Sequence, residues 1–369
     1  MKLPLPQSYA PMEAKSVDAI PTGDQWQYEP KWDGFRCLAF RDGAEVELRS
    51  KSGQPLTRYF PELVEALNGL PAKKFVLDGE IVVPVGKALS FDDLLVRIHP
   101  AESRVRKLAA ETPASMIVFD LLVDEKGKAL VSLPLAQRRA ALESFAARNF
   151  RGAKTVELSP ATCDESVARG WLKGRGGLDG VIAKRMDLPY RTGDRTGMQK
   201  IKRMRTADCV VGGFRYASKS RVIGSMLLGL YDDAGLLQHV GFTSSFTDAE
   251  RKALVPKLEK LIGPPGFTGQ APGGPSRWSS ARSAEWEPLE PKLVGEVQYD
   301  HFSGGRFRHG TKFLRWRPDK APRQCTMDQV EPEGVSSLTL LGGTRKAAKT
   351  KKAGGSSGSR SSRKTARAR

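Results

Sequence analysis

The sequence lacks any uninterrupted apolar run approaching the roughly 20 residues that a helix needs to span a bilayer. Its N-terminal stretch, residues 1–15, also lacks the apolar core that a secretory signal requires. We therefore exclude an integral membrane protein, expect no membrane partner, and expect the chain to act in the cytoplasm.

Cysteine and histidine are equally scarce, with four of each in 369 residues. The cysteines lie far apart and form no CxxC pair, which disfavours a zinc site and predicts buried free thiols in a reducing cytosol. The histidines are scattered too, and we interpret each as a packing or surface residue and not as a metal ligand. The residues concerned are Cys37, Cys163, Cys209, Cys325, His99, His239, His301 and His309.

Acidic residues are too few to balance the basic ones: 41 Asp and Glu stand against 60 Lys and Arg, a net charge of +19. Ten of the basic residues fall within residues 344–369, which contain no Asp or Glu. The rest of the chain still carries about +9. This excess favours a polyanionic partner, although it does not determine the fold. On charge alone, a generically basic soluble protein is the alternative.

The length of the chain exceeds the range in which one hydrophobic core keeps growing, so we expect two globular domains. Residues 1–204 are predicted to form the first domain, with mixed α and β structure. Residues 75–83 and 116–122 have the length and the β-branched or aromatic content of buried strands. Residues 134–148 place apolar side chains at helical spacing and predict a helix.

The second predicted domain, residues 205–335, consists mainly of short strands separated by glycine-rich turns. One helix interrupts these strands, because Thr247 and Glu250 have the spacing of a capping box and Gly263 with the proline after it ends the helix. Several short strands with one helix predict a small β-barrel of the OB type, a common nucleic-acid binder. The predicted strands cover residues 209–216, 225–231, 236–242 and 293–299.

The last segment, residues 336–369, has few core-forming side chains beyond its first positions. It is rich in Lys, Arg, Ser, Ala and Gly. We predict that it is a disordered basic tail, because such a composition cannot bury enough apolar surface to fold.

The most informative local feature is the run EPKWDGFR, in which Lys31 is followed by Asp33, Gly34 and Arg36. On its own this run is also typical of a charged turn ahead of the strand at residues 37–40. Further segments support the chemical interpretation, because they follow in order and together span nearly the whole chain outside the tail.

Taken together, these segments resemble the motifs of covalent nucleotidyltransferases, and specifically of ATP-dependent DNA ligases of the compact two-domain bacterial type called ligase C. The run at Lys31 resembles the nucleotidyl-lysine motif of that family. The other matching segments are LRSKSG at 48–53, FPEL at 60–63, LDGE at 77–80, FD at 119–120, DGVIAK at 179–184, QKIK at 199–202 and RPDK at 317–320.

This resemblance implies an α+β fold, in which a nucleotidyltransferase (adenylation) domain with antiparallel sheets and helices is followed by an OB-fold barrel. It implies an ATP-dependent DNA ligase that seals nicks between a 5′-phosphate and a 3′-hydroxyl, through AMP on Lys31 and then on the DNA, in DNA repair. The expected partner is nicked duplex DNA, with a repair polymerase or primase as a possible protein partner. We expect a monomer associated with the nucleoid.

The chemistry itself sets demands on these residues. A lysine amine has an unperturbed pKa of about 10.4, so neighbouring cations must lower the pKa of Lys31 before it can attack the α-phosphate of ATP. The same cations can offset charge on the phosphates, together with Mg²⁺ or Mn²⁺ held by Glu80 and Asp179. The candidate cations are Arg36, Lys184, Lys200 and Lys202.

The resemblance assigns further residues to the nucleotide. Phe119 is expected to stack on adenine, and Glu29 to lie at its edge. Arg195 and Lys51 are expected to bind the nucleotide as well. From the second domain, Arg317, Asp319 and Lys320 are expected to close over ATP during the first step.

Three positions depart from the family pattern. The second acidic motif begins with Asp179 instead of Glu, one methylene shorter, so its metal contact can run through water. Where the family usually has Ser-Arg, this chain has Ser50-Lys51, and Arg49 is the residue before this pair. Lysine cannot form the two parallel hydrogen bonds that arginine forms. It therefore stays open whether Arg49 or Lys51 contacts AMP. Met198 stands where an aromatic residue often precedes the paired lysines.

Two other interpretations remain open at this point. An RNA ligase or a capping guanylyltransferase shares the lysine nucleophile, although Arg317 to Lys320 and the FPEL segment favour a DNA ligase. A non-catalytic basic nucleic-acid binder on the same scaffold is disfavoured by the intact Lys31, Glu80, Lys200 and Lys202. The lack of zinc cysteines and of an extra N-terminal domain argues against an NAD-dependent ligase.

Overall fold

A computed structural model describes residues 1–86, 88–173, 178–218, 220–273 and 285–330, together with Leu338, Leu340 and Leu341. Within these residues, no helix is both long and apolar enough to cross a membrane. Most of the predicted tail, residues 336–369, lies outside the described part.

The described residues of the first part form a five-stranded, a four-stranded and a two-stranded sheet, with five α-helices. Its strands are β1 (Lys15–Ser16), β2 (Trp26–Lys31), β3 (Phe35–Asp42), β4 (Glu45–Ser50), β5 (Lys74–Val82), β6 (Pro84–Val85), β7 (Ala88–Leu89), β8 (Ser115–Val123), β9 (Val156–Leu158), β10 (Gly180–Arg185) and β11 (Met198–Lys202). Its α-helices are α1 (Pro61–Asn68), α2 (Phe91–Leu95), α3 (Glu102–Glu111), α4 (Leu135–Asn149) and α5 (Glu165–Lys173), with a 3₁₀ turn at Thr57–Tyr59.

These strands form a five-stranded sheet in the order β4-β3-β5-β8-β9 and a four-stranded sheet in the order β1-β11-β10-β2. All nine residues of β8 are buried, which explains why its sequence is an almost continuous apolar run. Helix α4 buries Leu142 and Phe145 against the five-stranded sheet. The predicted strands at 75–83 and 116–122 and the predicted helix at 134–148 correspond to β5, β8 and α4, within two residues at each end.

The second part of the chain is built around one antiparallel sheet. Its order is β14-β13-β12-β16-β19, and β15 also pairs with β12. Its strands are β12 (Arg205–Ala217), β13 (Ser220–Tyr231), β14 (Leu237–Thr243), β15 (Glu287–Pro288), β16 (Val294–Tyr299) and β19 (Lys312–Trp316), while β17 (Phe302–Ser303) and β18 (Arg306–Phe307) form a separate hairpin. Two 3₁₀ turns follow, at Pro322–Gln324 and Met327–Val330.

Among the described residues of this part, one α-helix is present, α6 (Asp248–Glu259), and it begins at the predicted capping box. The Thr247 Oγ1 accepts a hydrogen bond from the Glu250 amide at 3.3 Å, and a Glu250 carboxylate oxygen accepts one from the Thr247 amide at 2.7 Å. The helix reaches its C-cap at Lys260, three residues before Gly263. Sheet, helix and hairpin agree with the predicted OB-type barrel.

Two observations differ from the sequence-based expectations. Cys37, Cys209 and Cys325 are buried free thiols as expected, but Cys163 is exposed. At the start of the predicted tail, Leu341 is only 4% exposed and packs in an apolar cluster with Trp32 of the first part. Leu341 is therefore buried against residues of the first part, which its neighbouring sequence does not predict.

Candidate active site

A cavity of about 370 Å³ opens between the five-stranded and the four-stranded sheet of the first part. Its volume falls within the usual range for small-molecule sites. Nine of the residues predicted from the sequence line this cavity: Glu29, Lys31, Arg36, Lys51, Glu80, Phe119, Lys184, Arg195 and Lys200.

Strand pairing explains why distant motifs meet here. Lys31 lies opposite Gly180, and Ile182 lies between Glu29 on one side and Lys200 on the other. Gly180 has a φ of +148°, and a Cβ atom there would approach the Ile201 carbonyl oxygen to 2.0 Å. Glycine is therefore required for the close approach of β10 to β11, and β10 lies between the Lys31 strand and the strand of the paired lysines.

The glycine after Asp33 has a similar role on the other side of the cavity. A Cβ atom at Gly34 would lie 2.1 Å from the Ile81 carbonyl oxygen, next to Glu80. In the adjoining pairs, Arg36 is opposite Glu80 on β5, and Glu80 is opposite Ile117 on β8. The DG sequence thus allows the chain that leaves Lys31 to pack directly on the strand that carries Glu80.

The Lys31 amine is paired with an acid in this structure. Lys31 Nζ donates to Asp179 Oδ2 at 2.5 Å. Burial acts to lower the pKa of Lys31, but the charge of Asp179, with those of Glu80 and Asp33, gives a net increase. The sequence-based expectation was the opposite, namely a pKa lowered by cations. Asp179 forms the ion pair because it lies next to Gly180, which pairs with Lys31.

Two of the expected cations have their own acidic partners. Arg36 binds Asp78 with two hydrogen bonds, at 2.5 and 2.6 Å. Lys184 Nζ donates to Glu29 at 2.8 Å, and Glu29 also accepts from Gln27 at 2.9 Å. Their positive charges are therefore largely compensated, and burial together with the acidic neighbours dominates the pKa of Lys31.

Phe119 lies beside these cations. The Arg36 guanidinium and the Lys184 amine each lie 4.5 Å from the centre of the Phe119 ring. Cations over an aromatic ring are attracted to its π-electrons. A planar base that stacks on Phe119 therefore has to share or displace these contacts.

Lys200 differs from the other lysines of the cavity. Partial burial, together with the charges of Lys202, Lys31 and Lys51, lowers its pKa. It is thus the member of the predicted cation set whose positive charge has the least local compensation, and an incoming phosphate would supply that compensation.

Glu80 fits a divalent cation. Burial raises its pKa to about 8, despite the nearby charges of Arg36 and Lys31. A desolvated carboxylate with incomplete compensation, facing a cavity, is the hard oxygen ligand that Mg²⁺ or Mn²⁺ prefers. Asp179 is the second predicted ligand, but here it is engaged by Lys31, and it does not line the cavity.

The mouth of the cavity contains an acid that sequence reasoning missed. Glu13 forms ion pairs with Lys51 at 3.3 Å and with Arg195 at 2.6 Å. Arg49 points elsewhere, towards Glu47 at 3.0 Å, and does not line the cavity. The geometry therefore favours Lys51 over Arg49 as the residue that faces the nucleotide site.

The β17–β18 hairpin of the second part reaches the Lys31 region. Arg308 binds Asp33 with two hydrogen bonds, at 2.8 and 2.7 Å. His301 lies 3.7 Å from Asp33 and 3.5 Å from Asp179. The sequence-based interpretation of His301 as a packing or surface residue did not predict that it lies next to Asp33 and Asp179. Its position depends on how the two parts of the chain contact each other.

A second contact joins the two parts. Lys202 Nζ donates to Asp300 at 2.6 Å, so this lysine faces the second part and does not line the cavity. Asp33, Asp179 and His301 also offer ligand atoms within 4.8 Å of one another. Lys31 and Arg308 already compensate the two acids, which makes a second metal at this point unfavourable.

The structure does not bring Arg317, Asp319 and Lys320 to the cavity. Arg317 binds Asp208 at 2.9 and 3.0 Å, and Lys320 binds the same acid at 2.8 Å. Asp319 accepts from Arg317 at 2.8 Å. These three residues therefore form a charge cluster within the second part, instead of covering the nucleotide site.

Two family models match the chain in order. One is the ATP dependent DNA ligase domain, over residues 11–202, and the other is the ATP dependent DNA ligase C terminal region, over residues 219–320. The chain belongs to the ATP-dependent DNA ligase family. It is an enzyme that joins nicked DNA, with ATP as the donor of AMP and with a divalent metal such as Mg²⁺. The capping, RNA ligase and non-catalytic interpretations are thereby set aside.

Individual relatives agree with this membership. DNA ligase C2 of Mycolicibacterium smegmatis is 46% identical and covers 92% of this chain and 99% of its own length. The multifunctional non-homologous end joining DNA repair protein LigD of Mycobacterium tuberculosis is 31% identical over 82% of this chain, but only 38% of LigD is covered. The predicted likeness to ligase C is confirmed.

The fold agrees as well. A solved structure from a study of Lig E DNA ligases has a TM-score of 0.50 and 15% identity, and covers 84% of this chain and 99% of its own. At this identity it supports the fold alone. The predicted architecture, an adenylation domain followed by an OB-fold domain, is confirmed.

Proposed function

We propose that Lys31 is the residue that carries AMP. The observation that supports this role is its position: Lys31 ends β2 inside the cavity, with Lys200 two strands away in the same sheet and Glu80 and Phe119 on the five-stranded sheet. In the proposed first step, the Lys31 amine attacks the α-phosphate of ATP, forms a P–N bond and releases pyrophosphate. AMP then moves to the 5′-phosphate of the nick, and the 3′-hydroxyl displaces it.

The ion pair with Asp179 has to open before this attack, because a protonated lysine is not a nucleophile. Lys31 is held in its charged form while Asp179 accepts its hydrogen bond. Lys200 is proposed to face the phosphates and offset the charge that builds on them. Lys51 and Arg195, held together by Glu13, are proposed to contact the phosphates or ribose at the cavity mouth.

Glu80 and Asp179 are the proposed ligands of the divalent metal. When bound, this metal supplies positive charge next to the reacting phosphate. Phe119 and Glu29 are proposed to orient the base, and the walls of the cavity to exclude water from the Lys31 amine.

The experiment that tests this function is the formation of a covalent AMP adduct from labelled ATP. Lys31→Ala should abolish the adduct, and Lys200→Ala should lower its rate by about 10²-fold or more. Lys252→Ala, on the exposed side of α6, is the matched control and should behave as the unaltered protein. An adduct that persists in Lys31→Ala would refute the assignment of the nucleophile.

We also propose the domain boundaries 1–204 and 205–335, with a basic tail over residues 336–369. Because the second domain here presents its hairpin to the site and keeps Arg317 away from it, the proposed reaction needs a second arrangement. In that arrangement Arg317, Asp319 and Lys320 face ATP. Movement of a domain between steps is a common way to complete a site for one step only.

A role in DNA repair is proposed from the end-joining and repair functions in the name of the LigD relative. The proposed partners are nicked duplex DNA and a repair polymerase or primase, with the ligase acting as a monomer on the nucleoid. Sealing rates on nicked duplexes with DNA or RNA on each strand would test the substrate preference. Sedimentation at several concentrations would test the monomer.

A further inference from the structure

An apolar patch lies directly beside the Lys31 site. It is formed by Trp32, Val82, Ile117 and Leu178, each at most 5% exposed. Val82 follows Glu80 by two residues on β5, and Ile117 precedes Phe119 by two on β8. Because side chains two apart on a strand share a face, this patch continues the wall of the cavity that carries Glu80 and Phe119.

Leucines from the far end of the chain cover this patch. Leu341 is 4% exposed and belongs to the same apolar cluster, and Leu338 and Leu340 pack against it. The Leu341 amide donates to the Leu338 carbonyl oxygen at 3.1 Å, so the leucines are arranged in a turn. We refer to Leu338, Leu340 and Leu341 as the leucine latch.

The position of the latch depends on the position of the second domain. Val330 is the last described residue before it and is buried in the core of the second domain, 5% exposed. Seven residues separate Val330 from Leu338. A fully extended chain of that length spans at most about 28 Å. The second domain cannot move farther than this from the patch while the latch stays docked.

The latch and the hairpin contacts stabilise the same relative position of the two domains. With the leucines docked on the first domain, Arg308 binds Asp33 and Lys202 binds Asp300. Three separate connections, one apolar and two ionic, thus favour the arrangement in which Arg317 lies away from the cavity. None of the three is compatible with free rotation of the second domain.

We infer that the leucine latch is an intramolecular docking element: its binding to the patch beside Trp32 holds the second domain with its hairpin at the active site, and its release favours the arrangement for Lys31 adenylation. This inference rests on the proposed two arrangements of the second domain. The segment that occupies the patch is the leucine latch of this same chain. Because only seven residues connect it to Val330, it can reach the patch only when the second domain lies close to the first.

The test compares the two half-reactions in the full chain. Leu341→Asp places a charge on the patch and should release the latch, and Leu341→Ala is a milder variant. Leu236→Asp is the matched control, because Leu236 is 41% exposed in a turn of the second domain. The measurements are the single-turnover rate of Lys31 adenylation, the rate of sealing a pre-adenylated nick, and acrylamide quenching of tryptophan fluorescence.

We expect Leu341→Asp to change the ratio of adenylation rate to sealing rate by about fivefold or more in favour of adenylation. Quenching should increase, because Trp32 becomes more accessible to solvent when the leucines leave the patch. Leu341→Ala should give a smaller change of the same sign, and Leu236→Asp none. An unchanged ratio with increased quenching would overturn the inference, since the latch would then be released without consequence. Unchanged quenching would also overturn it.

This outcome can be separated from the assignment of Lys31. If the unaltered protein formed no adduct on Lys31, the proposed function would fail before the latch is tested. If Lys31 carries AMP and the ratio is insensitive to Leu341→Asp, only the latch fails.

Discussion

Arg308 of the second domain binds Asp33, two residues after Lys31, through two parallel hydrogen bonds of 2.8 and 2.7 Å. Its guanidinium also lies 3.9 Å from the centre of the Phe91 ring. Both charged side chains are largely buried, at 18% and 14% exposure. Because each is desolvated between the domains, loss of one partner leaves the other without compensation.

Removing this pair should therefore weaken the arrangement with the hairpin at the site. We expect Arg308→Ala to slow the sealing of a pre-adenylated nick by about tenfold, while the rate of adduct formation from ATP does not fall. Arg306→Ala, on the same hairpin, leaves the bonds to Asp33 in place and serves as the control. In a double-mutant cycle with Asp33→Asn, the effects should be non-additive by about 1–3 kcal/mol. Additive effects would mean that the two residues act independently.

Nine residues named from the sequence motifs line one cavity, and there is a physical reason why short motifs can locate such residues. Glu29, Lys31, Glu80 and Lys200 lie on regular strands. Because the pairing of such strands is fixed by the fold, matching the short motifs also predicts where these side chains lie relative to one another. The charge state of Lys31 could not be obtained in this way, because it depends on the distance to Asp179 across the sheet.

The contacts between the domains were also beyond sequence reasoning. Arg308, His301 and Asp300 lie in a hairpin without a motif that we identified, and their partners are set by the relative orientation of two domains. Leu341 was assigned to a tail for a similar reason. A short leucine segment has no apolar partner within its own neighbourhood, and its partner Trp32 lies more than 300 positions earlier in the chain.

The burial of His239 is expected to make the stability of the second domain depend on pH. Its ring is buried beside Phe267, and neither ring nitrogen has a hydrogen-bond partner among the described residues. Burial, followed by the charges of Arg306 and Arg215, lowers its pKa to about 3. The unfolded chain therefore binds a proton below about pH 6.5 that the folded domain does not bind, and stability falls as the pH decreases from 6.5 towards 3.

At pH 5 this difference amounts to about 2 kcal/mol. We expect His239→Phe to remove about this much of the loss in unfolding free energy between pH 7 and pH 5, measured by chemical denaturation. His99→Phe, which replaces a histidine of the first domain in the same way, is the control for the substitution itself. An equally steep dependence in His239→Phe would show that another group titrates.

The basic segment at residues 344–369 should add affinity for DNA without sequence specificity. Each cationic side chain that neutralises a phosphate contributes about 0.9 to the slope of log affinity against log salt. Deletion of this segment, which carries ten Lys and Arg, should flatten the slope and weaken nick binding at moderate salt. Sealing at low salt should persist. A slope that stays the same would mean that these residues do not contact DNA.

Arg317 forms ion pairs with Asp208 and Asp319 inside the second domain, and Lys320 shares Asp208 with it. If Arg317 acts on ATP in a second arrangement of the domain, Arg317→Ala should lose adenylation from ATP but still seal a nick that already carries AMP on its 5′-phosphate. The alternative is that Arg317 only stabilises the barrel through Asp208, to which it donates at 2.9 and 3.0 Å.

Asp208→Asn separates these two roles, because it weakens the internal ion pair and keeps the arginine. Under the first role, Asp208→Asn should retain adenylation, since the arginine that acts on ATP in the second arrangement is still present. Under the second role, both variants should be destabilised alike and lose both half-reactions together. Thermal unfolding of each variant, measured beside single-turnover adenylation and pre-adenylated sealing, decides between them. Equal loss in both assays by a folded Arg317→Ala protein would reject the two-arrangement scheme, because a residue that acts only on ATP cannot affect a substrate already carrying AMP.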